Sequence, residues 1–396
     1  MNDLDDELSR TLRGRADTFP HTPLAFDDVR GKAVSIRRRR RIASGLGVAA
    51  AIAVIVPTAM IATKGTNSDG PLPVTQPTTV SDTADPTPTS TPVMGKPHAL
   101  DVRDLPTGAP PQIAYVDDAA ATNTRAYVVV GTDTVKQIGE TVAITRDDGT
   151  TLGPFPASTL ARNADATAAA WVDLDGQVML WRPGAQKPVA LGSSGLQGAL
   201  IQALTGDCSD GGQCSAWVSG GKGSEAVSTS VRVDQDGTVR PADPSDTVLL
   251  VKDVSPSGQL IGVSERNDYN SCSSLVSSAT QWKTCKHTLD AFSPSGAYVA
   301  ASDPFHSGNL NGNIAIYDAA SGKATTYRIA NAGDSAYYSY FAWEDDSHLL
   351  FAANQDGKWS IVRMGVDGSM EFAVPPAELG DELSNPFMFE GNNTPL

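Results

Sequence analysis

The sequence predicts an all-β fold: a six- or seven-bladed β-propeller beginning near residue 98, preceded by a single transmembrane helix and a disordered stalk. Three observations carry this reading. A unit of about 40 residues recurs late in the chain, and four short strands in that length make one propeller blade. Short runs rich in Val, Ala, Ile and Tyr alternate with Asp-Gly turns, and no long apolar run at helical spacing interrupts them. Residues 42–63 hold no charge and follow five consecutive arginines.

From the N-terminus, residues 1–41 read as a short cytoplasmic segment. Asn2 or Asp3 suits a helix cap, and Leu4, Leu8 and Leu12 then share one stripe at i, i+4, i+8. Pro20 and Pro23 end the pattern. The leucine stripe is a candidate surface for a cytoplasmic partner, helix in groove; the alternative is a solvated or membrane-surface helix that only sets topology. Residues 1–41 carry ten basic and seven acidic side chains, a net of +3 against -15 for the whole 396-residue chain, so the rest carries -18. The acidic remainder excludes nucleic acid as a partner, because phosphate binding needs clustered Lys and Arg.

Residues 42–63 would span ~33 Å as a helix, enough for a hydrocarbon core of ~30 Å. Arg37, Arg38, Arg39, Arg40 and Arg41 place the N-terminus in the cytoplasm and the bulk of the chain outside the cell membrane. A cleaved signal peptide fits poorly, since Met60-Ile61-Ala62 lacks the small residues of a cleavage site. Residues 64–97 are dominated by Pro, Thr and Ser and bury too little to offset the entropy of ordering, so a disordered, extended linker is expected.

Residues 98–396 read as the extracytoplasmic propeller. The segment 254–265 (VSPSGQLIGVSE) matches 292–303 (FSPSGAYVAASD), and 343–354 (WEDDSHLLFAAN) is a diverged third copy. A second element recurs from Gly176, Gly312 and Gly357. Asp-Gly at 148–149, 175–176, 236–237, 356–357 and 367–368 suits hairpin turns in which both central residues take positive φ. The rhythm gives blades near 109–155, 158–192, 197–242, 247–288, 289–331 and 338–375. The tail at 385–391 is expected to pair with 99–102 and close the ring, which would complete a seventh blade.

Cys208, Cys214, Cys272 and Cys285 all fall in this outer region, where an even count reads as disulfides. Three pairings exist, and the local one, Cys208 with Cys214 and Cys272 with Cys285, is expected. A metal site is the rival, disfavoured by wide spacings and the lack of Cys-x-x-Cys.

The run from Phe292-Ser293-Pro294-Ser295-Gly296 through Ile314-Ala315-Ile316-Tyr317-Asp318 resembles the WD40-like, TolB-type propeller repeat, with Tyr317-Asp318 where the Trp-Asp dipeptide would stand. The resemblance covers about 247–374 and implies the propeller fold. The leader, arginine run and single span are similar to the start of actinobacterial single-pass membrane proteins that regulate sigma factors. The zinc-binding His/Cys motif of one anti-sigma class is absent, as no cysteine precedes Cys208.

No Gly-x-Ser-x-Gly elbow, His-Glu-x-x-His pair or phosphate-binding Gly-rich loop occurs. The Asp-x-Asp-Gly runs at 173–176 and 234–237 lack the glutamate of a calcium loop and read as hairpins. The expectation is no enzyme, no catalytic residue, no metal and no cofactor. Candidate partner-binding residues are His306, in a long insertion, and the aromatic cluster Tyr337, Tyr338 and Tyr340, which strand core explains equally. These features imply a membrane-anchored binding module for a protein or cell-wall ligand. The alternative is a transmembrane sensor or anti-sigma-like regulator using residues 1–36, and a lesser one a propeller-scaffold hydrolase.

Overall fold

The computed structural model describes residues 97–222, 228–245, 247–266, 271–304, 313–329, 336–380 and 384–391. The cytoplasmic segment with Leu4, Leu8 and Leu12, the arginine run from Arg37 to Arg41, the apolar run and nearly all of the stalk lie outside the described residues. Among the described residues no helix is long and apolar enough to cross a membrane.

Six four-stranded antiparallel sheets follow one another along the chain, each with its strands in sequence order. They occupy 124–156, 159–193, 197–241, 250–284, 288–329 and 336–377. The first strand of each sheet lies against the first strand of the next, so these strands form the inner wall of a ring. This is a six-bladed β-propeller. The blades match the windows read from the sequence within a few residues, except that the first begins only at Thr124.

Hydrophobic residues cluster between blades rather than within one central core. Val128, Val135 and Ile144 of blade one pack on Trp171 and Trp181 of blade two. Trp282 of blade four packs with Leu289, Val299 and Tyr317 of blade five. An interior blade is covered on both faces, which is why Ala169–Val172 is buried at all four positions rather than alternating. Buried alanines recur at 168, 169, 170, 300, 301, 352 and 353; small side chains suit a ring whose blades converge toward the axis.

The repeated turns behave as their residues require. In 255–258 and 293–296 the Gly258 and Gly296 backbones sit at φ of 81° and 82°, each donating to the serine three residues earlier. The Asp-Gly turns divide into two kinds. Only Asp356 and Gly357 both take positive φ, at 56° and 78°. At 148–149, 175–176, 236–237 and 367–368 the glycine alone does so, as in a type I turn closed by a left-handed glycine. Asp173 Oδ1 accepts from the Asp175 and Gln177 N–H groups, so 173–176 is the hairpin expected and its carboxylate is used in the turn.

Ring closure differs from the expectation in its partner. The tail strand Met388–Phe389 pairs with Tyr115–Val116, not with 99–102. His98–Leu100 instead adds a fifth, parallel strand to the outer edge of blade five, on Ala324–Ile329. Between these points the chain crosses blade six, where Gly108 N–H donates to Phe372 O and Phe372 N–H donates to Pro106 O. Phe387 and Phe389 then pack on Leu350, Trp359 and Ile361 of blade six. The seventh position thus holds two short strands and no full blade.

Both disulfides have the local pairing, Cys208–Cys214 and Cys272–Cys285, with Cα atoms 4.6 and 4.0 Å apart. The first closes the turn after the inner strand of blade three, and the second ties the third strand of blade four to the loop leaving that blade. Replacing Cys272 and Cys285 together by serine should lower stability by about 2–4 kcal/mol. Urea titration without reductant reads this, and an unchanged midpoint would show that the bridge constrains nothing the fold does not already hold.

Candidate functional site

The inner strands share a feature that composition does not reveal. In blades one, three, four, five and six each has a bulge residue with no partner on the strand it pairs with: Arg125, Gln202, Lys252, Asp290 and Tyr340, blade three having a second register shift nearer its start. Such a bulge bends the strand and re-aims the residues after it. Directly after four of these bulges, segments 203–206, 253–254, 291–294 and 341–343 line one cavity of about 380 Å³. Arg162 to Asp165 of blade two and Glu390 beside the closing strand complete its wall. The cavity therefore sits where the C-terminal ends of the inner strands converge.

Its wall is part aromatic and part charged. Phe292 and Trp343 are buried, Phe341 is half-buried, and Pro256 and Pro294 come from the repeated turns. The Trp343 indole donates to Ala291 O across the blade five to blade six boundary at 3.2 Å. Arg162 pairs with Glu390 at 3.5 Å. Asp253 is a half-buried carboxyl: Oδ2 accepts from Phe292 N–H and Oδ1 from Val254 N–H, both at 2.8 Å. Burial pushes its carboxyl up to about 7, against the pull of those two hydrogen bonds. Asp253 keeps partial accessibility because it faces the cavity, while protein encloses it elsewhere.

Other polar clusters are committed to structure. His287 is buried with Nδ1 2.8 Å from the Tyr317 hydroxyl, which also meets Thr284 Oγ1 at 3.2 Å. Tyr317 stacks on Trp282 of blade four. Desolvation drives His287 down to about 4 and Tyr317 up to about 12, so both are neutral at pH 7. Glu344, Asp345 and His348 have ligand atoms within 4.8 Å of one another. Arg363 already holds the Glu344 carboxylate, and Asp345 accepts from the Ser347 and His348 N–H groups of its turn. Among the described residues no Ser, Thr or Cys side chain is hydrogen-bonded to His287 or His348.

The residues singled out in the sequence fare unevenly. His306 lies outside the described residues. Tyr337, Tyr338 and Tyr340 belong to Ala336–Trp343, the inner strand of blade six, with Tyr337 opposite Asn354 and Tyr338 opposite Ala353. Their backbone therefore belongs to an inner strand of the ring. Tyr340 is the bulged residue immediately before the cavity-lining Phe341. Sequence reading missed Arg162, Asp253, Trp343 and Glu390. For Asp253 a signal existed: aligning Val254-Ser255-Pro256 with Phe292-Ser293-Pro294 sets Asp253 against Ala291, a carboxylate where the repeat is apolar.

Fold and site together define a β-propeller with an axial cavity. No family model matches the chain, and no curated protein matches it. Among solved structures it is similar to one described as YCF48 bound to D1 peptide, with 13% identity over 68% of this chain and 86% of that one and a TM-score of 0.44. A chain of the mitotic checkpoint complex is 12% identical, with 75% and 90% covered and a TM-score of 0.44. The tricorn protease is 13% identical, with 66% and 26% covered and a TM-score of 0.40. These likenesses carry no functional argument, and the fold assignment rests on the chain's own strand order. None of them supports the N-terminal similarity to sigma-factor regulators.

Proposed function

We propose that this protein is a membrane-anchored, extracytoplasmic, non-catalytic binding module whose propeller docks a segment of a partner protein at the axial cavity. The observation that carries the reading is the cavity itself. Four bulged inner strands open it, and aromatic and proline side chains line it. Pockets of some 300–1,000 Å³ with an apolar wall and few polar groups suit recognition. Two disulfides in the propeller and the basic leader before an uncharged run support the placement outside the membrane.

The test is crosslinking in cells followed by affinity recovery of the full-length protein, its Phe341→Ala and Trp343→Ala variants, and a version lacking residues 2–30. Partners recovered with the parent should fall at least about tenfold with the cavity variants, the usual effect of removing an aromatic anchor. Undiminished recovery with both would refute the cavity as the docking site. Loss of a cytoplasmic partner on truncation would instead favour the regulator reading, with residues 1–36 as the effector.

A further inference from the structure

Asp253 joins the inner strand of blade four to that of blade five through a carboxylate. Three other links to an inner strand use neutral hydroxyls: Thr159 Oγ1, itself on an inner strand, accepts from Ile201 N–H, and Ser230 Oγ and Ser273 Oγ, on third strands, accept from Val251 N–H and Leu289 N–H. A neutral acceptor is enough to join one blade to the inner strand of the next. Between blades four and five a second link, from inner strand to inner strand, has a carboxylate acceptor, whose partial burial costs free energy that a hydroxyl would not. Each Asp253 oxygen accepts one backbone N–H, whereas a carboxylate has room for about four donors in all. The remaining capacity lies at a cavity.

The charges around that cavity point one way. Its ionisable side chains are Arg162, Asp165, Asp253 and Glu390. Arg162 is paired with Glu390, and among the described residues no other cation lines the wall beside the two aspartates. The bulge residues one step along the inner strands, Lys252 and Asp290, are of opposite sign. The chain beyond residue 41 carries -18, so its field also favours an approaching cation. Phe292 and Phe341 supply apolar surface for an aliphatic stem beside the carboxylate.

We propose that the axial cavity takes a basic side chain, lysine or arginine, from an extended segment of a partner protein, with its cation on Asp253 and its stem along Phe292 and Phe341. This rests on the binding-module reading. A cation binds the ionised form of Asp253, so binding expels the proton that burial retains. With the carboxyl near 7, its ionised fraction rises from about one tenth at pH 6 to about nine tenths at pH 8, which makes affinity about tenfold greater at pH 8.

The experiment titrates the full chain in detergent micelles with acetyl-Leu-Lys-Leu-amide and with the same peptide carrying norleucine for lysine, at both pH values. The lysine peptide should bind about tenfold tighter at pH 8 than at pH 6, and at least tenfold tighter than the norleucine peptide at pH 8. Asp253→Asn and Asp253→Thr both keep a neutral acceptor for Phe292 N–H, and Thr copies the link used elsewhere in the ring. Either variant should abolish the pH dependence and the preference for lysine. Equal binding of both peptides, unaffected by either substitution, overturns the cation site yet leaves an apolar docking cavity. No binding of the lysine peptide overturns the cation site as well, and the Phe341 and Trp343 variants then decide the docking reading separately.

Discussion

Arg363→Met should lower the stability of the propeller by about 3–5 kcal/mol, because it strands a buried carboxylate. Arg363 lies on the third strand of blade six with its side chain 7% exposed, and its main partner, Glu344, is 1% exposed. The guanidinium forks onto both Glu344 oxygens, reaches Glu371 on the fourth strand, and donates to the carbonyls of Ala109 at 3.1 Å and Pro110 at 3.0 Å. One side chain thus fastens the N-terminal crossing segment to blade six, next to the ring closure. Its hydrogen bonds to Glu344 hold the guanidinium proton more firmly than usual. Arg363→Lys should recover only part of the loss, since an ammonium cannot fork onto a carboxylate and two carbonyls together. Adding Glu344→Met to Arg363→Met should restore much of the stability, because the orphaned charge goes with it. Urea unfolding followed by fluorescence of the six tryptophans, all of which lie in the propeller, reads each effect. A loss under about 1 kcal/mol for Arg363→Met would mean that water replaces the guanidinium at Glu344.

The second large effect is a pair of opposed pH dependences. His287 is buried and neutral, with its value lowered to about 4 by desolvation. Unfolding lets it protonate, so its contribution is complete above about 6.5 and is lost as pH falls toward 4, amounting to about 3 kcal/mol. Asp253 acts in the reverse direction. Its folded value of about 7 lies above the unfolded 3.8, so its contribution is complete below about 3.8 and is lost as pH rises to 7, amounting to about 4 kcal/mol. Across pH 4–6.5 the two nearly cancel. Asp253→Asn should therefore unmask the histidine, giving a protein whose stability falls by about 3 kcal/mol between pH 7 and pH 4.5 relative to its parent's profile. His287→Gln should tilt the profile the other way. Parallel profiles for parent and Asp253→Asn would show that Asp253 titrates alike in the folded and unfolded chains.

Much of the propeller was legible because a blade is a local object. Its four strands are joined by short hairpins, and the Ser-Pro-Ser-Gly and Asp-Gly turns declare those hairpins in adjacent residues. The outer disulfides were legible for the same reason: each closes a short loop, with separations of 6 and 13 residues. Where a turn residue has two ways to serve, the sequence was less informative, as the single Asp-Gly turn with both φ angles positive shows.

By itself, the sequence determined the all-β class, the repeat length, the blade positions and the local cysteine pairing, since each depends on alternation and turn chemistry within about 40 residues. Only the tertiary structure decided how the ring closes, which tail strand meets Tyr115–Val116, and where the cavity lies. Arg162, Asp253, Trp343 and Glu390 come from blades two, four and six and from the closing tail, and they meet only once the ring has formed. The bulges in the strands of Asp253 and Trp343 are one-residue mismatches between paired strands. Such a mismatch belongs to the pairing of two strands and to neither strand alone, so no reading of residue types along the chain could locate it.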